Sequence, residues 1–171
     1  MPLDANGGTL SWASVRECHP DGPLRLLARR IVGVVGDQAV LVEREALPVM
    51  FKRVADEPDA ISRGMAEVEE AVGLRGRKYF GAFDLDGDEY RVCVQLRDGD
   101  EPDAFGLEVG ELPGGRYARV RLEGEPPAVY SLIGPTFERL AQRADRDGSR
   151  PGIEFYRRET VIDLLLPILT D

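Results

Sequence analysis

Val40-Leu41-Val42-Glu43-Arg44-Glu45 and, two residues on, Pro48-Val49-Met50-Phe51-Lys52-Arg53-Val54 read as one long strand bent at Leu47-Pro48. A proline lacks the N–H that a ladder needs, so inside a strand it is tolerated only at an edge or a bulge. The downstream residues make the bend part of a unit. Pro58-Asp59 opens a helix, with Asp59 placed to cap free N–H groups or Pro58 to begin the first turn. Ile61, Met65, Val68 and Val72 recur at helical spacing, Glu67, Glu69 and Glu70 fall on other faces, and Gly73 stops the helix. Lys78 to Phe83 and Glu89 to Leu96 then form a hairpin through Asp84-Leu85-Asp86-Gly87-Asp88, whose Asp-Gly step is expected to supply a positive-φ position.

The rest of the chain repeats this order. A second copy begins around Phe105 to Val109, bends at Pro113-Gly114-Gly115 and continues as Arg116-Tyr117-Ala118-Arg119-Val120-Arg121-Leu122. Gly124 to Pro127 lead into a helix carrying Ile133, Phe137, Leu140, Ala141 and Ala144 on one stripe, ended by Asp147-Gly148. The closing hairpin pairs Ile153 to Tyr156 with Val161 to Leu169, where Ile162, Leu164, Leu166 and Ile168 share one face at period two. That face is expected to be the helix-covered core. A duplicated strand-helix-strand-strand unit predicts an α+β fold: an antiparallel sheet with two helices on one face and a ligand cleft between the halves on the other.

Bulk properties narrow the function. The 171 residues suit one domain, expected over 37–171, with 1–36 as an N-terminal extension rich in Gly, Pro and polar types. Trp12 is its one anchor, and Leu24 to Val35 reads as either a short helix or a leading strand. A net charge of −9 and a pI near 4.8 argue against a nucleic-acid binder. Arg116, Arg119 and Arg121 read as a solvated strand edge among Glu111, Glu123 and Glu125.

Cys18 and Cys93 lie far apart with no CxxC pattern, so neither disulfides nor zinc are indicated, and a reducing cytoplasm fits. No apolar run approaches the ~20 residues of a membrane span, and MPLDANGGTLSWAS lacks the regions of a signal peptide. His19, between Cys18 and Pro20, reads as a loop residue, which removes most hydrolase schemes built on a Ser-His or Cys-His pair. Asp84, Asp86 and Asp88 invite a calcium loop, but the glycine is misplaced and position twelve is Gln95; the turn reading stands, and no metal or cofactor is expected.

Chemistry concentrates in Ile153-Glu154-Phe155-Tyr156. Alternation puts Ile153 and Phe155 on one face and Glu154 with Tyr156 on the other. If the first pair meets the helices, the second lines the open face, with Tyr117 and with Tyr79 or Phe80 as neighbours and Phe51 and Cys93 as further additions. A carboxylate ringed by aromatics suits a cationic or amphipathic aromatic ligand. Against this stands a Glu154 that is exposed or paired with Arg157 or Arg158.

Five stretches in order carry a family resemblance over about Ala39 to Ile168. They are Val42-Glu43-Arg44-Glu45-Ala46-Leu47-Pro48, Lys78-Tyr79-Phe80-Gly81, Leu112-Pro113-Gly114-Gly115-Arg116-Tyr117-Ala118, Ile153-Glu154-Phe155-Tyr156 and Leu164-Leu165-Leu166-Pro167-Ile168. In these the chain resembles the GyrI-like, AraC-type effector-binding family. The resemblance implies a ligand cleft between paired modules, with Glu154 reaching in to meet cationic, often multidrug-like compounds. Two departures show: Arg143-Ala144 stand where relatives often carry a tryptophan, and the N-terminal extension is too short for a helix-turn-helix, so no direct contact with DNA is expected.

Three functions follow as expectations. The first is a standalone protein binding hydrophobic compounds, cationic aromatic ones included. The second is an enzyme hydrolysing strained electrophiles, with Glu154 activating water or acting as acid and Tyr156 or Tyr117 orienting the substrate. The third is a protein-interaction module of gyrase-inhibitor type.

Overall fold

A computed structural model of the chain describes residues 39–169. The expectations for the extension, including Trp12, Cys18, His19 and Leu24 to Val35, lie outside the described residues. In chain order the elements are β1 Val40–Arg44, β2 Leu47–Ala55, α1 Pro58–Val72, β3 Tyr79–Phe83 and β4 Glu89–Gln95. There follow α2 Pro102–Phe105, β5 Glu108–Leu112, β6 Gly115–Glu123, a 3-10 turn Tyr130–Leu132, α3 Ile133–Ala141, β7 Gly152–Arg158 and β8 Val161–Pro167. The predicted α+β architecture is present, with the strand-helix-strand-strand order twice over.

All eight strands join one antiparallel sheet in the order β1-β6-β8-β7-β3-β4-β2-β5. Consecutive β1 and β2 stand far apart in that order although only Glu45 and Ala46 join them, and β6 and β5 repeat the pattern. The sheet must therefore curl. One ladder runs through both bends without changing register, from Val40↔Arg119 to Arg44↔Gly115 and on from Leu47↔Leu112 to Phe51↔Glu108. The two bends touch: a Cβ on Gly114 would lie 2.7 Å from the Ala46 nitrogen and 2.9 Å from the Arg44 carbonyl oxygen, so only glycine lets the links cross. The result is a half-barrel with a helix-covered side and an inner side.

Pleating sorts the core into these two sides. On the helix side Ile61, Met65 and Val68 of α1, with Ile133, Phe137 and Leu140 of α3, meet Tyr90, Val92, Ile162, Leu164 and Leu166. Each such burial stabilises by roughly 1.5–3 kcal/mol. The expected face of Ile162, Leu164, Leu166 and Ile168 is indeed the helix-covered one. On the inner side Phe51, Phe80, Cys93, Tyr117, Ile153 and Leu165 pack together with no helical residue among them. A flat sheet would expose that side to water; the curl buries it.

Three local expectations change, and one pair of alternatives is settled. α1 starts with Pro58 in its first turn after Glu57, with no side-chain cap, so of the two openings Pro58 is the one used. α3 ends at Ala141, short of Asp147, because the following segment pairs with the end of β8: Asp147 N–H donates to the Pro167 carbonyl (3.0 Å) and Leu169 N–H to that of Asp145 (2.9 Å). β6 is no edge, since β1 and β8 flank it. Gly87 does not adopt positive φ; the turn closes by Gly87 N–H to the Asp84 carbonyl (3.2 Å), and the Asp84 side chain accepts from Asp86 N–H (3.2 Å).

Candidate functional site

Glu154 sits in the middle of β7, opposite Gly81 of β3 on one side and Leu164 of β8 on the other. Leu164 belongs to the helix-side core, so Glu154 shares that side. This reverses the expected sidedness of the strand: Ile153 and Phe155 pack on the inner face, and Glu154 with Tyr156 points toward the helices. Alternation had defined the two sets correctly. Both sides of β7 are apolar, so composition alone did not say which set met the helices.

The carboxylate is 1% exposed, and its Oε2 accepts two phenolic hydrogen bonds, from Tyr90 at 2.8 Å and from Tyr156 in a shorter contact. It is neither exposed nor bound to Arg157, which donates to Asp163 instead. Tyr90 belongs to β4, two strands away, and reaches Glu154 across β3. Gly81 makes the crossing possible, because a Cβ there would stand 1.7 Å from the Tyr90 Oη. Burial holds the Tyr156 phenol far above its ordinary pKa, and the charges of Glu154 and Tyr90 push the same way. Tyr156 therefore stays a neutral donor.

Further tyrosines and carboxylates surround this floor. Tyr79 pairs with Tyr156 across the strands and donates to the Gly73 carbonyl at 2.7 Å; burial, with the charge of Glu69 adding, pushes it up to about 12. Tyr130, at the entry to α3, is raised by burial, then by Glu159 and Glu69. Glu69 on α1 is itself raised by burial and by Glu159. These groups lie within electrostatic reach of one another on the helix side.

The structure divides the expected site residues. Glu154, Tyr156 and Tyr79 come together on the helix side, whereas Phe51, Phe80, Cys93 and Tyr117 lie on the inner side. There Phe80 stacks on Phe155 at 4.6 Å, and Tyr117 donates to the Pro113 carbonyl at 2.6 Å beneath the Arg150 guanidinium. Burial pushes the Cys93 thiol up to about 12, which removes it as a nucleophile near neutrality. Sequence reasoning missed Tyr90, Gly81, Tyr130, Glu69 and Glu159. Gly81, in the middle of a strand pattern, was the readable signal, since such a glycine marks a close approach.

No family model matches the chain, and no curated protein matches it. Solved structures do match its fold. An integron cassette protein from the mobile metagenome of Vibrio cholerae superposes with a TM-score of 0.58 at 13% identity, over 78% of this chain and 97% of its own. SAV2435, solved with tetraphenylphosphonium bound, gives 0.54 at 15%, over 77% and 94%. A candidate bacterial transcription regulation protein from Staphylococcus aureus gives 0.52 at 14%, over 79% and 100%. At these identities the likeness is one of fold: the curled antiparallel sheet with its helices. Among the described residues no helix is long and apolar enough to cross a membrane, and no three His, Cys, Asp or Glu side chains gather as a metal site.

Proposed function

We propose that this chain is a small-molecule-binding protein that takes hydrophobic organic cations on its helix side, around Glu154. The observation that carries the reading is the buried carboxylate itself, held at one oxygen by Tyr90 and Tyr156. Two further carboxylates, Glu69 and Glu159, and two further phenols, Tyr79 and Tyr130, act electrostatically in the same region.

A cation whose charge is spread over aromatic groups loses little hydration on entry. Tyrosine faces attract it through their quadrupoles, and carboxylates in a partly desolvated setting attract it more strongly than they would in water. The two phenols hold Glu154 in place, so its negative end is ordered before the ligand arrives. SAV2435 binds tetraphenylphosphonium on the same fold, and the resemblance to the GyrI-like family points the same way. The test is charge discrimination. Tetraphenylphosphonium should bind the full chain at least about tenfold more tightly than neutral triphenylphosphine oxide, a difference of ~1.4 kcal/mol. Equal affinity for the two would remove the cation from the proposal.

The Tyr156–Glu154 hydrogen bond favours a second reading, in which the same pair serves as acid and base in hydrolysing strained electrophiles. Turnover of such compounds that survives in Glu154→Gln would exclude it.

A further inference from the structure

The inner side of the half-barrel carries charge of the opposite sign. Pairing register and ring contacts place Arg44, Arg53, Arg91, Arg119, Arg121 and Arg157 there, against four carboxylates, Glu89, Glu108, Glu123 and Asp163, in a chain whose net charge is −9. Three of them are held in ion pairs, and Glu123 acts on Arg121. Glu89 and Glu108 both accept from Arg53, at 2.9 and 3.1 Å, and buried Asp163 accepts from Arg121 at 2.7 Å and from Arg157. Arg44, Arg91 and Arg119 have no carboxylate of the described residues within ion-pair distance.

Arg44 is the informative one. Its guanidinium lies 5.9 Å from the centre of the Phe80 ring, and its Nη1 is buried with no hydrogen-bond partner among the described residues. A buried N–H without an acceptor is costly, and more so on a charged group, so such a donor marks the place of a missing acceptor. Burial also lowers the Arg44 pKa, and the nearby Arg157 charge works in the same direction, so a negative group beside the two would relieve both effects. Next to this donor stands an aromatic wall, the Phe80–Phe155 stack, which carries the Arg44 guanidinium over Phe80 and that of Arg157 over Phe155, and Phe155 remains partly exposed.

We propose that the inner face is a second ligand site, for an aromatic carboxylate whose oxygen accepts from Arg44 Nη1 and whose ring packs beside Phe155 and the Arg157 guanidinium. Charge complementarity selects the class: the excess guanidinium charge attracts an anion, and the aromatic wall favours a flat ring over a small inorganic ion. This site stands apart from the one around Glu154, on the other side of the sheet and with the other sign.

Calorimetric titration of the full chain with 2-naphthoate tests it, with neutral 2-naphthylmethanol as control. Expected is saturable binding of one naphthoate, at least about tenfold tighter than the alcohol, and weakened about tenfold or more in Arg44→Met. Arg44→Lys should restore part of it, while Glu154→Gln and saturating tetraphenylphosphonium should leave it unchanged. The proposal is overturned if naphthoate does not bind saturably, if the alcohol binds equally well, or if a folded Arg44→Met binds as the wild type does. Loss in Glu154→Gln, or displacement by tetraphenylphosphonium, overturns it as well. The comparison of acid with alcohol is made on the wild type, so a variant that fails to fold does not shield the idea.

Discussion

Replacing Gly81 with alanine should break the link between β4 and the buried carboxylate. The new Cβ would stand 1.7 Å from the Tyr90 Oη, 2.4 Å from its Cζ and 3.0 Å from Glu154 Oε2. β3 cannot retreat, because it is paired from Tyr79 to Phe83 with β4 on one side and from Tyr79 to Phe83 with β7 on the other. The Tyr90 ring must therefore leave. Its hydrogen bond to the carboxylate is lost, at ~1.5–3 kcal/mol, and the crowded core must repack, at ~1–3 kcal/mol. The total of roughly 2.5–6 kcal/mol is a large part of the ~5–15 kcal/mol that holds a domain together. Urea unfolding reads it directly: with a slope of ~2 kcal/mol per molar, the midpoint should fall by ~1.2–3 M. Tyr90→Phe isolates the hydrogen bond and should cost ~1.5–3 kcal/mol. Since that bond is lost only once, the double variant should cost less than the two singles together, by ~1.5–3 kcal/mol. A cost below ~1 kcal/mol for Gly81→Ala, or strict additivity of the pair, would refute the crossing argument.

Other outcomes rest on the same structure. Asp147 accepts from Ser149 and Arg150, which hold its pKa at about 2, against ~3.9 in an unfolded chain. A depressed carboxylate stabilises above the unfolded value, and that contribution is lost as pH falls through the folded one. The difference in melting temperature between wild type and Asp147→Asn should therefore be flat above about pH 5 and shrink toward pH 2; a difference that grows on acidification contradicts this. The Asp163 pKa is raised by burial but lowered on balance by Arg121 and Arg157. Asp163→Asn should destabilise by roughly 2–4 kcal/mol in urea, since two guanidiniums lose their shared partner, and a cost under ~0.5 kcal/mol would show the cluster to be idle. Of the five tyrosines, Tyr79, Tyr117, Tyr130 and Tyr156 are all raised above the ordinary value. Absorbance at ~295 nm should show most of them un-ionised at pH ~10.5 for as long as circular dichroism reports a native fold.

Much of this fold was legible because its signals are local. The break between β1 and β2, expected at Leu47-Pro48 and found just before it at Glu45-Ala46, the bend at Pro113-Gly114-Gly115 and the amphipathic spacing of Ile61, Met65 and Val68 each announce themselves within a few residues. The end of α3 was not legible, since it is set by pairing with the terminus of β8, which lies some twenty residues further on. Nor was the direction of Glu154. Its side is set by standing opposite Leu164, and such a register is a relation between strands that neither strand contains by itself. Ile153 and Phe155 look like ordinary core residues, and the first is buried and the second half-buried, but by the curl of the sheet. Tyr90 escaped for the same reason: it meets a carboxylate 64 residues away, across an intervening strand whose only trace in the sequence is Gly81.

The central claim is that Glu154 is the negative end of a cation site. Calorimetric titration of tetraphenylphosphonium into wild type and into Glu154→Gln, each verified as folded by circular dichroism, tests it most directly. The account predicts saturable binding by the wild type and a loss of about tenfold or more in the variant. Equal affinities in the two proteins, or no binding by the wild type, would contradict it.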